Sequence, residues 1–103
     1  MAYETLVDVE TLAAHLGDPS WRIVDCRSKL GDPEAGARAH AEGTIPGAIF
    51  ADLERDLSGP VIPGRTGRHP LPTREAFAAT LGRWGITPST QVVAFDDIGG
   101  AFA

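Results

Sequence analysis

The side chains that could carry chemistry in this sequence stand mostly where an apolar run ends. Cys26 lies between Asp25 and Arg27 at the end of the run WRIVDCR, and Asp96 and Asp97 follow the run QVVAF. A thiol beside a cation can act as a nucleophile, because the positive charge lowers its pKa and favours the thiolate. Clustered carboxylates at strand ends can hold magnesium or accept a phosphoryl group. Both segments are therefore candidate sites.

Cys26 is the only cysteine of the chain, and it follows a run that predicts a buried strand. Free cysteines are among the residue types most often buried, so we favour a structural role, with a small thiol enzyme as the alternative. Asp25 and Arg27 are two positions apart and share one face of that strand. Because a buried charge needs a partner, we predict that both form structural ion pairs with other residues.

The acidic pair of Asp96 and Asp97 has two interpretations. A magnesium or phospho-acceptor site of the receiver type needs a further acidic pair near the start of the chain and a later lysine, and neither is present. A lone motif of this kind is weak evidence. We therefore favour a loop whose acids precede a helix, where negative charge is stabilising.

A third group of candidates is basic. Arg65, Arg68 and His69 lie in the segment Ser58–Pro72, which is rich in proline and glycine and predicts a long irregular loop. Loops of this length in compact domains are often functional. Cationic donors of this kind bind small anions, and they are also common on solvated surfaces. The cluster thus predicts either an anion site or an ordinary surface loop.

The elements that must position these groups alternate between helix and strand. Asp8 and Thr73 are suited to cap two helices, because their side chains can accept from the free N–H groups of a first turn. Glycines at 17 and 85 end those helices. Apolar runs and turn signals predict strands at Trp21–Arg27, Ala48–Phe50 and Gln91–Asp97, a weak helix over residues 33–42 and a turn at Pro46–Gly47.

This alternation predicts an α/β fold, a mostly parallel sheet with helices on its faces. Ligands of such sheets bind beyond the carboxyl ends of the strands. In the last helix, Phe77, Leu81 and Trp84 fall at i, i+4 and i+7 and predict one face toward the core. His15 and His40 are predicted to lie on helix surfaces.

Composition limits the remaining possibilities. With 103 residues, 43% of them hydrophobic, the chain has room for one small soluble domain. A net charge of -5 argues against nucleic-acid binding, and the single cysteine excludes an internal disulfide and zinc sites built from paired cysteines. The N-terminal segment carries neither a secretion signal nor a membrane span. We therefore expect a cytoplasmic protein.

Three blocks of the sequence, in this order, resemble one protein family. They are RIVDCR (Arg22 to Arg27), EGTIPGAIFAD (Glu42 to Asp52), and GRHPLP with FAATLGRWGI and VVAFDDIGGAFA between Gly67 and Ala103. Together they are similar to the N-terminal domain of tandem-domain sulfurtransferases, the rhodanese and mercaptopyruvate sulfurtransferase family. The resemblance covers nearly the whole chain. It implies a parallel sheet of about five strands with helices on both sides.

The resemblance also implies a chemistry of sulfane sulfur. Members of the family move a sulfur atom from thiosulfate or mercaptopyruvate onto a cysteine and pass it from the persulfide to cyanide or another thiol, without a metal or other cofactor. That cysteine stands in a loop after a strand, where backbone N–H groups favour the thiolate. Its position matches Asp96 here. A carboxylate cannot carry a persulfide, so the resemblance implies an inactive loop and a working cysteine in a second domain.

Two further roles follow from the resemblance alone. In the mercaptopyruvate enzymes, a histidine in the context H-x-LP and an acid shortly after IPGA-x-x-x-D reach across to the active domain and assist the donor. These positions match His69 and Glu54, although the family more often has Asp at the second. Thr44 stands where the family usually has His before the IPGA motif. The matching VD-x-R motif, Asp25 and Arg27, is structural in the family.

We therefore expect residues 1–103 to form a partial N-terminal rhodanese-like domain, with the rest of that domain and the catalytic domain absent. The expected partners are the remainder of the same polypeptide, joined or as a separate chain nicked near Gly99–Ala101, and a small anionic sulfur donor. The alternative is a non-catalytic binding or regulatory module of the same fold. The presence of a second domain with a cysteine in its glycine loop would favour the enzyme over the binding module.

Overall fold

The described structure, a computed structural model, covers residues 3–103. Helix and strand alternate along it, as the sequence predicts. The elements are α1 (Val9–Ala14), β1 (Trp21–Asp25), α2 (Ala35–Glu42), β2 (Ile49–Phe50), α3 (Arg74–Arg83) and β3 (Gln91–Phe95). No helix within residues 3–103 is long and apolar enough to cross a membrane.

The three strands form one parallel sheet in the order β2-β1-β3. Asp25, the last residue of β1, lies opposite Phe50 on one side and Phe95 on the other. All three strands therefore end at the same edge of the sheet. The predicted α/β class and parallel sheet are confirmed, and the loops after β1, β2 and β3 meet where ligands of such sheets bind.

All three strands are shorter than predicted, and in β1 and β3 aspartate side chains take over where the ladder ends. At the end of β1, the backbone N–H of Arg27 donates to the Asp25 carboxylate at 3.1 Å. At the end of β3, the Asp96 carboxylate accepts from backbone N–H groups of the following loop. The backbone turns at both places. The weak helix predicted from residue 33 begins at Ala35.

Local signals for helix starts and turns are confirmed. The Asp8 carboxylate accepts from the backbone N–H of Thr11 at 2.7 Å, and the Thr73 hydroxyl from that of Ala76 at 3.1 Å. The turn at Pro46–Gly47 is also present, with Gly47 at φ 81°. Such a backbone angle is easily reached only by glycine, so this turn fixes the direction in which the chain enters β2.

The predicted inner face of α3 is only partly correct. Trp84 packs against the core cluster of Val24, Cys26 and Ala51. Phe77, however, is 37% exposed, and the buried residue of α3 is Thr80. The inward face is therefore rotated away from Phe77, and the buried Thr80 hydroxyl is satisfied by a helix carbonyl.

Helix α2 approaches the end of β1 unusually closely, and Gly36 makes this possible. A Cβ atom at Gly36 would lie 2.2 Å from the backbone oxygen of Arg27 and 3.0 Å from the Phe50 ring. Any larger residue would push the helix outward. This close contact brings the C-terminal half of α2, with His40, over the carboxyl end of β1.

Candidate functional site

The turn that follows β2 is fixed by a buried carboxylate. Asp52, only 7% exposed, accepts from the backbone N–H groups of Glu54 at 2.9 Å and Arg55 at 3.0 Å. The Arg55 guanidinium also donates to Asp52 at 2.8 Å. These bonds hold the backbone of Glu54 in one place while its side chain extends into solvent. The turn is thus a rigid support for an exposed acid.

The segment Ser58–Pro72 has no regular secondary structure, as predicted. Its two ends are joined, because the backbone N–H of Gly59 donates to the carbonyl of Pro70 at 2.8 Å. The tip is a tight turn in which Arg65 and Thr66 both donate to the carbonyl of Ile62. The loop therefore leaves the body of the molecule and returns to nearly the same point, next to the turn that carries Glu54.

The returning loop places His69 beside Glu54. Their side chains approach to 3.7 Å between His69 Nε2 and Glu54 Oε1, with 25% and 56% of the side chains exposed. This distance is too long for a direct hydrogen bond, so both groups keep capacity for a further partner. Fifteen residues apart in the chain, the pair meets only because the loop closes on itself.

A cavity of about 190 Å³ lies beside this pair, beyond the carboxyl ends of β1 and β2. Glu54, Arg68 and His69 line it together with Phe50 and Arg27. Its size suits a small molecule, and among its acidic and basic side chains Arg68 could bind an anion. Arg65 lies elsewhere, exposed at the tip of the loop. The structure thus divides the predicted basic cluster and keeps only Arg68 and His69 at the cavity.

Asp25 is completely buried, and its carboxylate is fully engaged. Arg27 donates to both oxygens, at 3.0 and 2.8 Å, while His40 Nδ1 lies 2.9 Å and the Thr44 hydroxyl 3.1 Å from Oδ2. Burial by itself would raise the pKa of Asp25, but the hydrogen bonds from Arg27, His40 and Thr44 outweigh it and lower the pKa well below the usual range. The prediction that Asp25 and Arg27 pair with other residues is therefore only partly correct, because they pair with each other and Asp25 also contacts His40.

The expectation that His15 and His40 lie on helix surfaces is only partly correct, because other parts of the chain half-bury both side chains. His40 is not a free surface residue, because it bonds to Asp25 and only 26% of its side chain is exposed. His15 stacks on the Trp21 ring with the centroids 3.9 Å apart. The helical pattern shows which face a residue occupies but not what the rest of the chain brings to it. Ala39 and Ala41 flank His40, so its local sequence carries no signal for the contact with Asp25, which only the fold creates.

Cys26 has the properties of a structural residue. Its side chain is 6% exposed and belongs to the core cluster. Burial, together with the charges of Asp25 and Asp96, raises the pKa of the thiol to about 11. The idea that a neighbouring arginine lowers this pKa is wrong, because the charge of Arg27 is taken up by Asp25. A buried, protonated thiol is a poor nucleophile.

Asp96 occupies the loop after β3 with its own carboxylate. Its oxygens accept from four backbone N–H groups, those of Ile98 (3.1 Å), Gly100 (2.8 Å), Phe102 (2.7 Å) and Ala103 (3.0 Å). The bond from Phe102 is the largest cause that lowers the pKa of Asp96, and the others add to it. Within residues 3–103, no three His, Cys, Asp or Glu side chains gather in a way that could hold a metal ion. The loop therefore binds negative charge that the chain itself supplies.

A comparison with protein families matches the rhodanese-like domain over residues 8–103. The chain belongs to the rhodanese-like domain family. A solved structure, 3-mercaptopyruvate sulfurtransferase from Leishmania major, superimposes with a TM-score of 0.82 at 34% identity, and the match covers 94% of this chain and 26% of that one. The sequence resemblance and the fold are thereby confirmed.

The curated relatives that the chain matches carry sulfurtransferase names. The chain is 52% identical over all its 103 residues to a probable 3-mercaptopyruvate sulfurtransferase of Pseudomonas aeruginosa, and covers 36% of that protein. It is 42% identical over 96 residues to a putative thiosulfate sulfurtransferase of Mycobacterium tuberculosis, covering 91% of this chain and 33% of that one. The chain thus spans about a third of the length of these relatives.

Proposed function

We propose that this rhodanese-like chain is the non-catalytic N-terminal part of a sulfurtransferase. In this proposal, the persulfide forms on a cysteine of a second domain, and the present chain supplies one wall of the cleft in which the donor binds. The observation that carries it is the Glu54–His69 pair, open at 3.7 Å on a cavity at the carboxyl edge of the sheet. The names of the relatives support the reaction class.

The chain itself offers no group that could carry the sulfur. Cys26, the only thiol, is buried with its pKa raised, and the loop after β3 presents the Asp96 carboxylate. A carboxylate cannot form a persulfide. This argues that the chain assists a reaction whose covalent step takes place on another domain, which a span of about a third of the relatives' length allows.

The donor determines what the chain must contribute. When a cysteine thiolate attacks the sulfur of mercaptopyruvate, an S–S bond forms, the C–S bond breaks and pyruvate leaves as an enolate that needs a proton. A histidine next to a carboxylate can hold that proton, because the acid stabilises the imidazolium. We assign this role to His69 and Glu54, which approach to 3.7 Å beside the cavity, and we assign binding of the donor's carboxylate to Arg68. With thiosulfate the leaving group is sulfite, which needs no proton.

A chimera provides the test. Residues 1–103 replace the matching residues of the Pseudomonas aeruginosa relative, to which they are 52% identical, and transfer of sulfur to cyanide is measured as thiocyanate. We expect the chimera to be active and the chain alone to form no persulfide. Glu54→Gln and His69→Gln should each lower kcat/KM for mercaptopyruvate by about a hundredfold, with a smaller effect for thiosulfate.

Arg65→Gln is the matched control, since Arg65 lies in the same loop but outside the cavity, and it should leave kcat/KM nearly unchanged. Full activity of both the Glu54 and the His69 variant would refute the role of the pair. A folded but inactive chimera would favour a rhodanese-like binding module instead.

A further inference from the structure

We infer that Ser58 and Gly59 are positioning residues that hold Glu54 and His69 in register with each other, a role that rests on the proposed function of that pair. The two residues stand at the point where the turn after β2 passes into the long loop. Neither touches the cavity. They act on the backbones that carry the acid and the imidazole.

The two contacts are arranged symmetrically about the pair. The Ser58 hydroxyl donates to the carbonyl of Leu53 at 2.6 Å, and Leu53 immediately precedes Glu54. The Gly59 N–H donates to the carbonyl of Pro70 at 2.8 Å, and Pro70 immediately follows His69. Two consecutive residues therefore tie the neighbours of both members of the pair. We call this arrangement the Ser58–Gly59 clamp.

The clamp is needed because the two members of the pair have unequal support. Glu54 stands on a turn that Asp52 already fixes. His69 stands on a loop without helix or strand, and the clamp provides the link between the base of that loop and the turn. Placement errors of about 1 Å in a catalytic group can cost a hundredfold in rate. The position of the His69 imidazole, 3.7 Å from Glu54 without a direct hydrogen bond, therefore depends on the backbone that carries it.

Space, and not backbone conformation, explains why position 59 is a glycine. A Cβ atom there would lie 2.8 Å from the backbone oxygen of Leu71 and 3.3 Å from the Cα of Pro72, and backbone atoms cannot rotate away. Its φ angle is outside the left-handed region. Gly67 belongs to the same loop and likewise avoids that region, but a Cβ atom there would meet nothing within 4 Å. The chain thus contains a matched pair of glycines.

The experiment compares Gly59→Ala with Gly67→Ala in the chimera. We expect Gly59→Ala to lower kcat for mercaptopyruvate about tenfold with little change in KM, and Gly67→Ala to leave both unchanged. In a double-mutant cycle, Glu54→Gln should cost far less in the Gly59→Ala background than in the parent, since the pair is already separated. Two results would overturn the inference. The first is a double variant whose loss of activity equals the product of the two single losses, and the second is a Gly59→Ala variant as active as Gly67→Ala.

Ser58→Ala tests the other half of the clamp. Because it removes only one hydroxyl, it can still be measured if Gly59→Ala does not fold. It should lower kcat about fivefold, and Ser58→Thr, which keeps the hydroxyl, should restore much of the loss. A variant Ser58→Ala with parental kcat would overturn the role of this residue.

A direct readout separates the clamp from the function of the pair. The imidazole resonances of His69 are recorded at a fixed pH in the chimera and its variants. If the clamp acts as proposed, Gly59→Ala moves the His69 resonances toward the positions that they take in the Glu54→Gln variant. Gly67→Ala leaves them where they are in the parent. If activity is absent but the resonances respond in this way, the proposed function fails and the clamp stands. If activity depends on His69 while the resonances ignore Gly59→Ala, the clamp fails and the function stands.

Discussion

Residues 3–103 contain two pairs of an acid and a histidine, and the pairs differ in burial, in distance and in hydrogen bonding. Asp25 is fully buried and lies 2.9 Å from His40 Nδ1. The Glu54 side chain is more than half exposed, and Glu54 Oε1 lies 3.7 Å from His69 Nε2. The first pair lies under a helix at the end of the central strand, and the second lies on a cavity between a turn and a loop.

The difference shows that the residue types do not by themselves define a site. The Asp25 carboxylate accepts from Arg27, His40 and Thr44, so no acceptor capacity is left for a ligand. Its low pKa keeps it ionised at neutral pH, and it holds three segments of the chain together. Glu54 and His69 keep their free capacity toward the cavity. Saturation and burial produce stability, while unsatisfied capacity at a cavity permits chemistry.

The largest expected effect distinguishes the two acids by stability. Asp25→Asn should lower the free energy of unfolding by about 3 kcal/mol or more, because Arg27 loses its charge partner in a buried setting. Glu54→Gln should change it by less than about 0.5 kcal/mol, since the side chain is exposed. Urea denaturation measures both. Equal losses in the two variants would contradict the contrast between a structural and a functional pair.

Low pH should also lower the stability of the protein, by a smaller amount, through the carboxylates whose pKa is lowered in the folded state. The pKa of Asp25 in the folded state lies below its ordinary value of 3.8, so the stabilisation is complete above that value and is lost as the pH falls through it toward the folded pKa. Asp96 has a lowered pKa and contributes with the same sign. Urea midpoints should therefore fall between about pH 5 and about pH 3. If the urea midpoint of Asp25→Asn falls with pH as steeply as that of the parent, Asp25 does not cause the loss of stability in acid.

The smallest expected effect concerns the two histidines. His40→Gln should cost about 1 kcal/mol of stability, because it weakens a hydrogen bond to a buried carboxylate. His69→Gln should change stability by less than about 0.5 kcal/mol while it lowers sulfur transfer in the chimera. Thermal melts recorded beside the thiocyanate assay compare the two. A His69 variant that loses stability and activity together would make the second pair structural as well.

Local features of the fold could be predicted from the sequence, because they depend on neighbouring residues. The caps at Asp8 and Thr73, the turn at Pro46–Gly47 and the irregular loop Ser58–Pro72 all lie where the sequence places them. Alternating apolar runs predicted the parallel α/β sheet. Resemblance of three blocks, more than any single residue, indicated the rhodanese-like family that the comparisons confirm.

The partners of each charged group could not be predicted, because they depend on segments far apart in the chain. Only the folded chain brings His40 to Asp25, separates Arg65 from the cavity, and buries the one thiol beside an ion pair that uses up its arginine. The sequence by itself determined the elements and the family, since periodicity, caps and turns are local. The tertiary structure decided which acid is saturated and which is open, since burial and hydrogen-bond partners arise only when distant segments pack together.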